Sequence, residues 1–340
     1  MNDSIASNTV ESSEPLRAAG EFGGERAKGG LVGDHNRARL ARLLPLTGLA
    51  ALVLFYWITA GGRFMSVDNW RNLIQQATVA ATVGFGLTFV IVAGSIDLSV
   101  GSVMALAGMV AAGVGASSGA LVGVLAGLAT GAACGLCNGF TVAVMRVPSF
   151  IVTLGMLYVA DGLTLVYSHN APKTVFGSFE ALGAEPDIYY VLAGAFVVAF
   201  VLFNATSFGR YTRAIGGDER VSRLSGVPVT RMKILIFVFG GMMAGLGGVV
   251  LSARLGVATP DAGSGFELTA ITAVVLGGTP LTGGIGNVWN TVIGALLIQV
   301  LTNGLVILGV SPEVQEIIQG AILVLAVFVA LERRKIGVIK

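Results

Sequence analysis

Charged side chains are scarce in this chain, and histidine and cysteine are scarcer still. Only 12% of its 340 residues are Asp, Glu, Lys or Arg, about half the roughly 25% of a globular protein. From Arg71 to Arg146 the one charged residue between the two arginines is Asp97, set in the stretch GSIDLSVGS from Gly94 to Ser102. His35 and His169 stand alone, and Cys134 and Cys137 lie in an apolar run, where cysteines behave as small buried residues. A metal site is therefore not expected. None of Lys28, Lys173, Lys233, Lys335 and Lys340 follows a glycine, so the Gly-Lys-Ser/Thr core of a P-loop is missing and any ATP hydrolysis must be borrowed from another chain. With no HExxH and no GxSxG the sequence offers no catalytic constellation, and an enzyme is not expected.

In place of charge there is apolar surface, 54% of the residues, and glycine, 49 of them. That composition is of an integral membrane protein, in which glycine serves close helix packing. A helix needs about 20 apolar residues to cross the hydrocarbon. On that measure spans are predicted near 43–60, 72–93, 98–116, 119–145, 148–167, 188–204, 234–253, 267–283, 286–309 and 313–331. The expected architecture is thus an all-α membrane bundle of about ten helices. Residues 1–42 mix polar and charged types without apolar period and read as a disordered cytoplasmic tail. The transmembrane domain is expected over 43–335, with a cytoplasmic loop at 205–233 and a short tail at 336–340.

Basic residues collect on the cytoplasmic side of membrane proteins. The segment from Ser207 to Lys233 holds Arg210, Arg213, Arg220, Arg223, Arg231 and Lys233 against Asp218 and Glu219, and the C-terminus holds Arg333, Arg334, Lys335 and Lys340. Six spans followed by four put both regions and the N-terminal tail on one side, so both termini are expected in the cytoplasm. Within the basic loop, Asp218 can cap a short helix over Glu219–Leu224 that Gly226 and Pro228 stop. A lone helix of that length is marginal in water and needs a surface to lie against: lipid headgroups, its own bundle, or a cytosolic partner.

Polar residues inside membrane spans are functional candidates by default. Here they are Asp97, Asn138, Asp161, Glu267, Gln299, Asn303 and Gln319. Asp97, with Ser95 or Ser99, is expected to cap and position the third span at the cytoplasmic turn, or in a dip of that turn into the bundle, with contact to a transported molecule the lesser role. Asn138 follows four members of the glycine stripe Gly123, Gly127, Gly131, Gly135 and Gly139, a packing ridge, and suits an interhelical hydrogen bond. Gln299 and Asn303, four apart, share a helix face that suits either a cavity or a neighbour. Asp161 and Glu267 lie near expected outer ends. Gly84–Val103 and Gly265–Val288 both begin Gly-Phe-x-Leu-Thr and later carry Gly-x-Val, the pattern of an internal repeat.

Four stretches taken in order, AGSIDLSVGSVMALAG, CGLCNGFTVAVMRVPSFIVTLGMLYVADGL, GRYTRAIGGDERVSRLSGVPV and GFELTAITAVVLGGTPLTGGIGNVWNTVIGALLIQVLTNGLVILG, resemble the permease subunits of bacterial ABC importers for monosaccharides of the ribose, xylose and galactose type. The resemblance runs from about Asn69 to Lys335. It implies a type II-like ABC importer permease bundle in the bacterial cytoplasmic (inner) membrane, two permease copies forming the pathway, a separate cytosolic ATPase carrying ATP and Mg, and a periplasmic or secreted sugar-binding protein. No cofactor and no nucleic acid is implied for this chain. By the same resemblance Arg210 to Val227 carries the coupling segment, with Arg210, Arg213, Gly217, Asp218, Glu219, Arg220, Arg223, Leu224 and Gly226 facing the ATPase. The chain departs from the family pattern at Asp218, at Arg220 to Ser222, at Asp161 and at Asn290. Outside the family, an ion-coupled transporter with Asp97 or Glu267 as proton site, or a purely structural membrane subunit, would also suit the composition.

Overall fold

Where water is absent a backbone must satisfy its own hydrogen bonds, so long apolar runs fold as helices whatever their glycine content. The computed structural model describes residues 31–175 and 177–337, with side-chain surroundings over 45–175 and 177–328. In chain order the helices are α1 (Leu31–Ala60), α2 (Gly62–Met65), α3 (Val67–Val92), α4 (Val100–Ser118), α5 (Ala120–Ala143), α6 (Ser149–Ser168), α7 (Ser178–Ala181), α8 (Asp187–Ala205), α9 (Ser207–Gly217), α10 (Glu219–Leu224), α11 (Val229–Leu255), α12 (Phe266–Leu276), α13 (Val288–Ile307) and α14 (Pro312–Gly337). Two short strands, β1 (Lys173–Thr174) and β2 (Val257–Ala258), pair antiparallel with Lys173 opposite Ala258.

The chain divides into a unit of residues 1–41 and a unit of residues 42–340. Residues 1–30 of the expected tail lie outside the described residues, but α1 is already helical from Leu31. The segment LVGDHNRARLAR is rich in the strong helix formers Leu, Ala and Arg, and this propensity carries the helix into what reads as tail.

Among the described residues seven helices, α3, α4, α5, α6, α8, α11 and α13, are long and apolar enough to cross a membrane. Each matches an expected span. The expected span 267–283 does not form a continuous helix. α12 has 11 residues, about 16 Å at 1.5 Å per residue, roughly half of the hydrocarbon thickness. It gives way to the irregular, glycine-rich segment 277–287, where Gly278, Gly283 and Gly284 take positive φ. A second irregular segment, 93–99, separates α3 from α4. The two members of the sequence repeat therefore share one design, a helix running into a broken segment before the next helix starts.

α3 lies at the centre: from Ala77 to Val92 every residue is buried. Its buried hydroxyls turn back to the helix, Thr82 donating to the Thr78 carbonyl at 2.8 Å and Thr88 to Gly84 at 2.7 Å. Phe89 joins four elements, its ring centroid 5.2 Å from those of Phe203 and Phe208 and 4.8 Å from that of Phe239. The glycine stripe of α5 is the packing ridge its spacing predicts. A Cβ at Gly131 would overlap the Gly241 carbonyl of α11, one at Gly135 the Phe237 carbonyl, and one at Gly139 would lie 2.8 Å from Ile234 Cα. Backbones in direct contact supply the dense van der Waals packing that holds helices together in lipid. Across the opposite faces of α5, α6 and α8, residues such as Leu121, Tyr158, Val166 and Tyr190 are exposed, as apolar side chains can be when lipid replaces water.

Candidate functional site

The basic loop folds as two short helices meeting at one residue. Asp218 ends α9 and begins α10: its extended backbone breaks the helix, and its Oδ1 accepts from the Val221 amide at 2.9 Å. Glu219 then pairs with Arg223 at 3.0 Å and with Lys233 at the start of α11, tying α10 to the bundle. Partial burial pushes the Glu219 carboxyl up, but Lys233 and then Arg223 outweigh it and hold its pKa below the ordinary glutamate value. The face left free is mixed. Leu224 is 81% exposed, Val221 57%, and Arg210, Gly217, Asp218, Arg220, Arg223 and Gly226 are exposed beside them.

Arg213 stands apart from that set. Its guanidinium donates to the Phe203 carbonyl at 2.9 Å and lies 4.8 Å over the Phe203 ring. It fastens α9 to α8.

Beneath this surface α9 rests on both broken segments. The Val92 carbonyl, at the end of α3, accepts from the Gly284 amide at 2.8 Å. Gly216 fits against this pair so closely that a Cβ there would overlap the Val92 carbonyl oxygen and lie 2.6 Å from the Gly284 nitrogen. Gly283 in turn meets Gly94, its added Cβ lying 2.9 Å from Gly94 Cα. Three backbone segments thus converge with no side chain between them. α9 therefore touches the end of α3 and the irregular segment 277–287 directly.

Segment 93–99 climbs from that junction into the bundle. Asp97 is 2% exposed and borders, with Ser99, Asn138, Gly241 and Ala244, a space too small for a water molecule. Gly241 and Ala244 lie near the middle of α11, so the carboxylate is held deep in the bundle rather than at a cytoplasmic surface turn. Asp97 Oδ1 accepts from the Ser99 amide at 2.8 Å and hydroxyl at 2.6 Å, and Asn138 Nδ2 donates to the Ser99 oxygen at 3.0 Å. Asp97 does not bond the first amides inside α4. It fixes the turn in front of them, with Ser99 at the N-cap position. Two further amides of the segment find side chains on α6: Ile96 donates to Ser149 Oγ and Leu98 to Thr153 Oγ1, each at 3.1 Å. Irregular backbone at this depth is tolerated where protein groups take up its hydrogen bonds in this way.

The other polar candidates separate. Glu267 lies in the first turn of α12, where the helix dipole favours a carboxylate, with Gly101 of α4 directly against it. Asn303 pairs reciprocally with Asn69, at 3.0 and 2.9 Å, joining α13 to the start of α3. Gln299, one turn earlier, instead lines a cavity of about 260 Å³. Sequence reasoning missed Gly216, Ser149 and Thr153, whose residue types carry no signal of their role. It also missed Arg254, which lines the same cavity as Gln299 and whose position in the last turn of an apolar span was a legible cue.

Comparison with known proteins gives a consistent result. The family model described as branched-chain amino acid transport system / permease component matches residues 69–327. A ribose import permease protein of Bacillus subtilis is 42% identical over 88% of this chain and 95% of its own length. A xylose transport system permease protein of Haemophilus influenzae and a fructose import permease protein of Rhizobium meliloti are each 33% identical over 86% of this chain, covering 96% and 86% of their own lengths. No solved structure gives a significant match.

Proposed function

We propose, from the premise that the chain belongs to the permease-component family of branched-chain amino acid transport systems, that it is the membrane-spanning subunit of an ATP-driven importer for a monosaccharide or related polyol. The observation that carries this reading is the 42% identity to a ribose import permease along nearly the whole of both chains. Two features of the fold support it. α10 presents Leu224 and Val221 outward from a helix anchored by Glu219 and Lys233, a surface suited to a groove on a cytosolic ATPase. The glycine junction behind it gives such a partner a short mechanical route to the broken segments, which alternating access requires to move.

In this reading the chain works as a pair of identical copies in the bacterial cytoplasmic membrane, with both termini inside and about ten crossings, α12 and its glycine loop counting as one. A binding protein outside delivers the sugar. The ATPase closes on ATP and tilts the permease pair through α9 and α10. Asp97 and Asn138 act as core polar groups that keep α4 and α5 in register.

The family description names branched-chain amino acids, and this favours a second reading with an apolar amino acid as cargo. Reconstitution of the chain with its ATPase and binding protein in proteoliposomes decides between them. Uptake of labelled ribose, xylose or fructose with exclusion of leucine is expected, and uptake of leucine alone would sink the sugar assignment.

A further inference from the structure

The cavity of about 260 Å³ lies between α3, α11, α12 and α13 and includes Gln76, Arg254, Phe266, Thr269, Gln299 and Thr302 in its wall. That volume is far above the roughly 10–15 Å³ of such space that one water needs. Its polar groups are under-used by the protein. Arg254 Nε is buried without a hydrogen-bond partner, and the Gln76 side chain makes no hydrogen bond to any described residue. The Gln299 carboxamide meets only the Thr302 hydroxyl, and Thr269 only Gln319, each at 3.5 Å, the outer limit of a hydrogen bond. Buried polar groups without partners are costly, which implies that water or a ligand satisfies them.

We propose that this cavity is a transit site for one neutral sugar ring. Two carboxamides and the Thr269 hydroxyl both donate and accept, as sugar hydroxyls do; the Thr302 hydroxyl, which donates to the Ile298 carbonyl at 3.0 Å, is left to accept, and the guanidinium adds donors for ring and hydroxyl oxygens. Phe266 supplies an apolar face for the ring's C–H side. Among the described residues no carboxylate lines the space, so Arg254 is left available to the ligand. The site lies toward the end of α11 remote from the α10 contact. From Lys233 to Arg254 the helix rises about 31 Å, so a sugar here is at the opposite end of the bundle from the cytosolic surface. Few partners in a water-filled space make for weak binding, which suits a station that must release its cargo.

This inference rests on the sugar-permease reading, and the test separates the two. The full chain is reconstituted with its ATPase and binding protein, and ribose is the probe. Gln299→Leu is expected to lower the initial rate of ribose uptake at least fivefold, and Thr302→Val at least threefold. Thr302→Cys, in a Cys137→Ser background, should react with a small thiol reagent at least threefold more slowly in saturating ribose than in an equal concentration of glycerol. If wild-type protein takes up ribose while both substitutions leave the rate unchanged and ribose gives no protection, the transit site is refuted and the permease reading stands. If wild-type protein takes up neither ribose, xylose nor fructose, both fall.

Discussion

Replacing Gly216 by alanine adds one methyl group to the junction that couples α9 to the two broken segments. That methyl carbon would overlap the Val92 carbonyl oxygen and lie 2.6 Å from the Gly284 nitrogen and 2.8 Å from the Val92 carbonyl carbon. All three are backbone atoms, so no side chain can swing away. Either the Val92–Gly284 hydrogen bond opens or α9 lifts off α3. Overpacking of this kind costs roughly 1–3 kcal/mol, and a lost buried hydrogen bond adds about 1 kcal/mol. The neighbouring Gly217 is the matched control: it is exposed, its φ is ordinary and nothing lies within 4 Å of an added Cβ, so Gly217→Ala should fold with a change below about 0.5 kcal/mol. The assay measures thermal unfolding in detergent together with sugar uptake and ATP hydrolysis in proteoliposomes. Gly216→Ala should lower the unfolding temperature and reduce uptake per ATP hydrolysed several-fold, whereas Gly217→Ala should unfold as wild type does. A Gly216→Ala protein with wild-type stability and wild-type uptake per ATP would refute the view that three backbones meet there in rigid contact.

Asp97→Asn keeps an acceptor for the Ser99 amide and hydroxyl and should insert and fold, while Asp97→Leu strands the Ser99 groups beside Asn138 at about 1–3 kcal/mol for each unsatisfied group; thermal unfolding of the two variants should differ in that order. Glu219→Gln weakens the tie to Lys233 and Arg223, and with the glutamate nearly half exposed the cost is about 0.2–1 kcal/mol. Because the folded-state pKa of Glu219 is depressed, its contribution is fully present above the unfolded value of about 4.3 and is lost as pH falls through the folded value; the stability gap between wild type and Glu219→Gln should close below that range. Gly135→Leu places a side chain where α5 touches the Phe237 carbonyl and should abolish folded, detergent-stable protein, while Gly155→Leu on α6, with nothing within 4 Å, should not. Leu224→Asp with Val221→Asp should leave unfolding temperature unchanged and abolish co-purification with the ATPase.

Much of the bundle is legible in the sequence because a long apolar run has few alternatives to a helix in lipid. Seven spans could be placed from that alone, and Asp218 as the start of α10 from its residue type and the glycine and proline that follow. The expected span at 267–283 runs past the break after Leu276, because its length was set by counting apolar residues across the segment. Gly277, Gly278 and Pro280 are breaker signals that mark the end of α12 in the sequence, and positive φ at Gly278, Gly283 and Gly284 keeps the segment irregular. Side-chain destinations were legible only where they are local. Gln299 and Asn303 share a helix face, yet one meets a cavity and the other Asn69, because the neighbour on that face changes from one turn to the next. Arg213 looked like its exposed neighbours until Phe203, ten residues earlier, was found beneath it.

The energy source is the most direct test of an ATP-driven permease. Proteoliposomes holding this chain, its ATPase and its binding protein should accumulate labelled ribose when ATP is present inside the compartment that faces the ATPase, and should take up none when ATP is replaced by a non-hydrolysable analogue. Uptake that persists on a proton gradient alone, with the ATPase omitted, would contradict that mechanism and return Asp97 and Glu267 to consideration as proton sites.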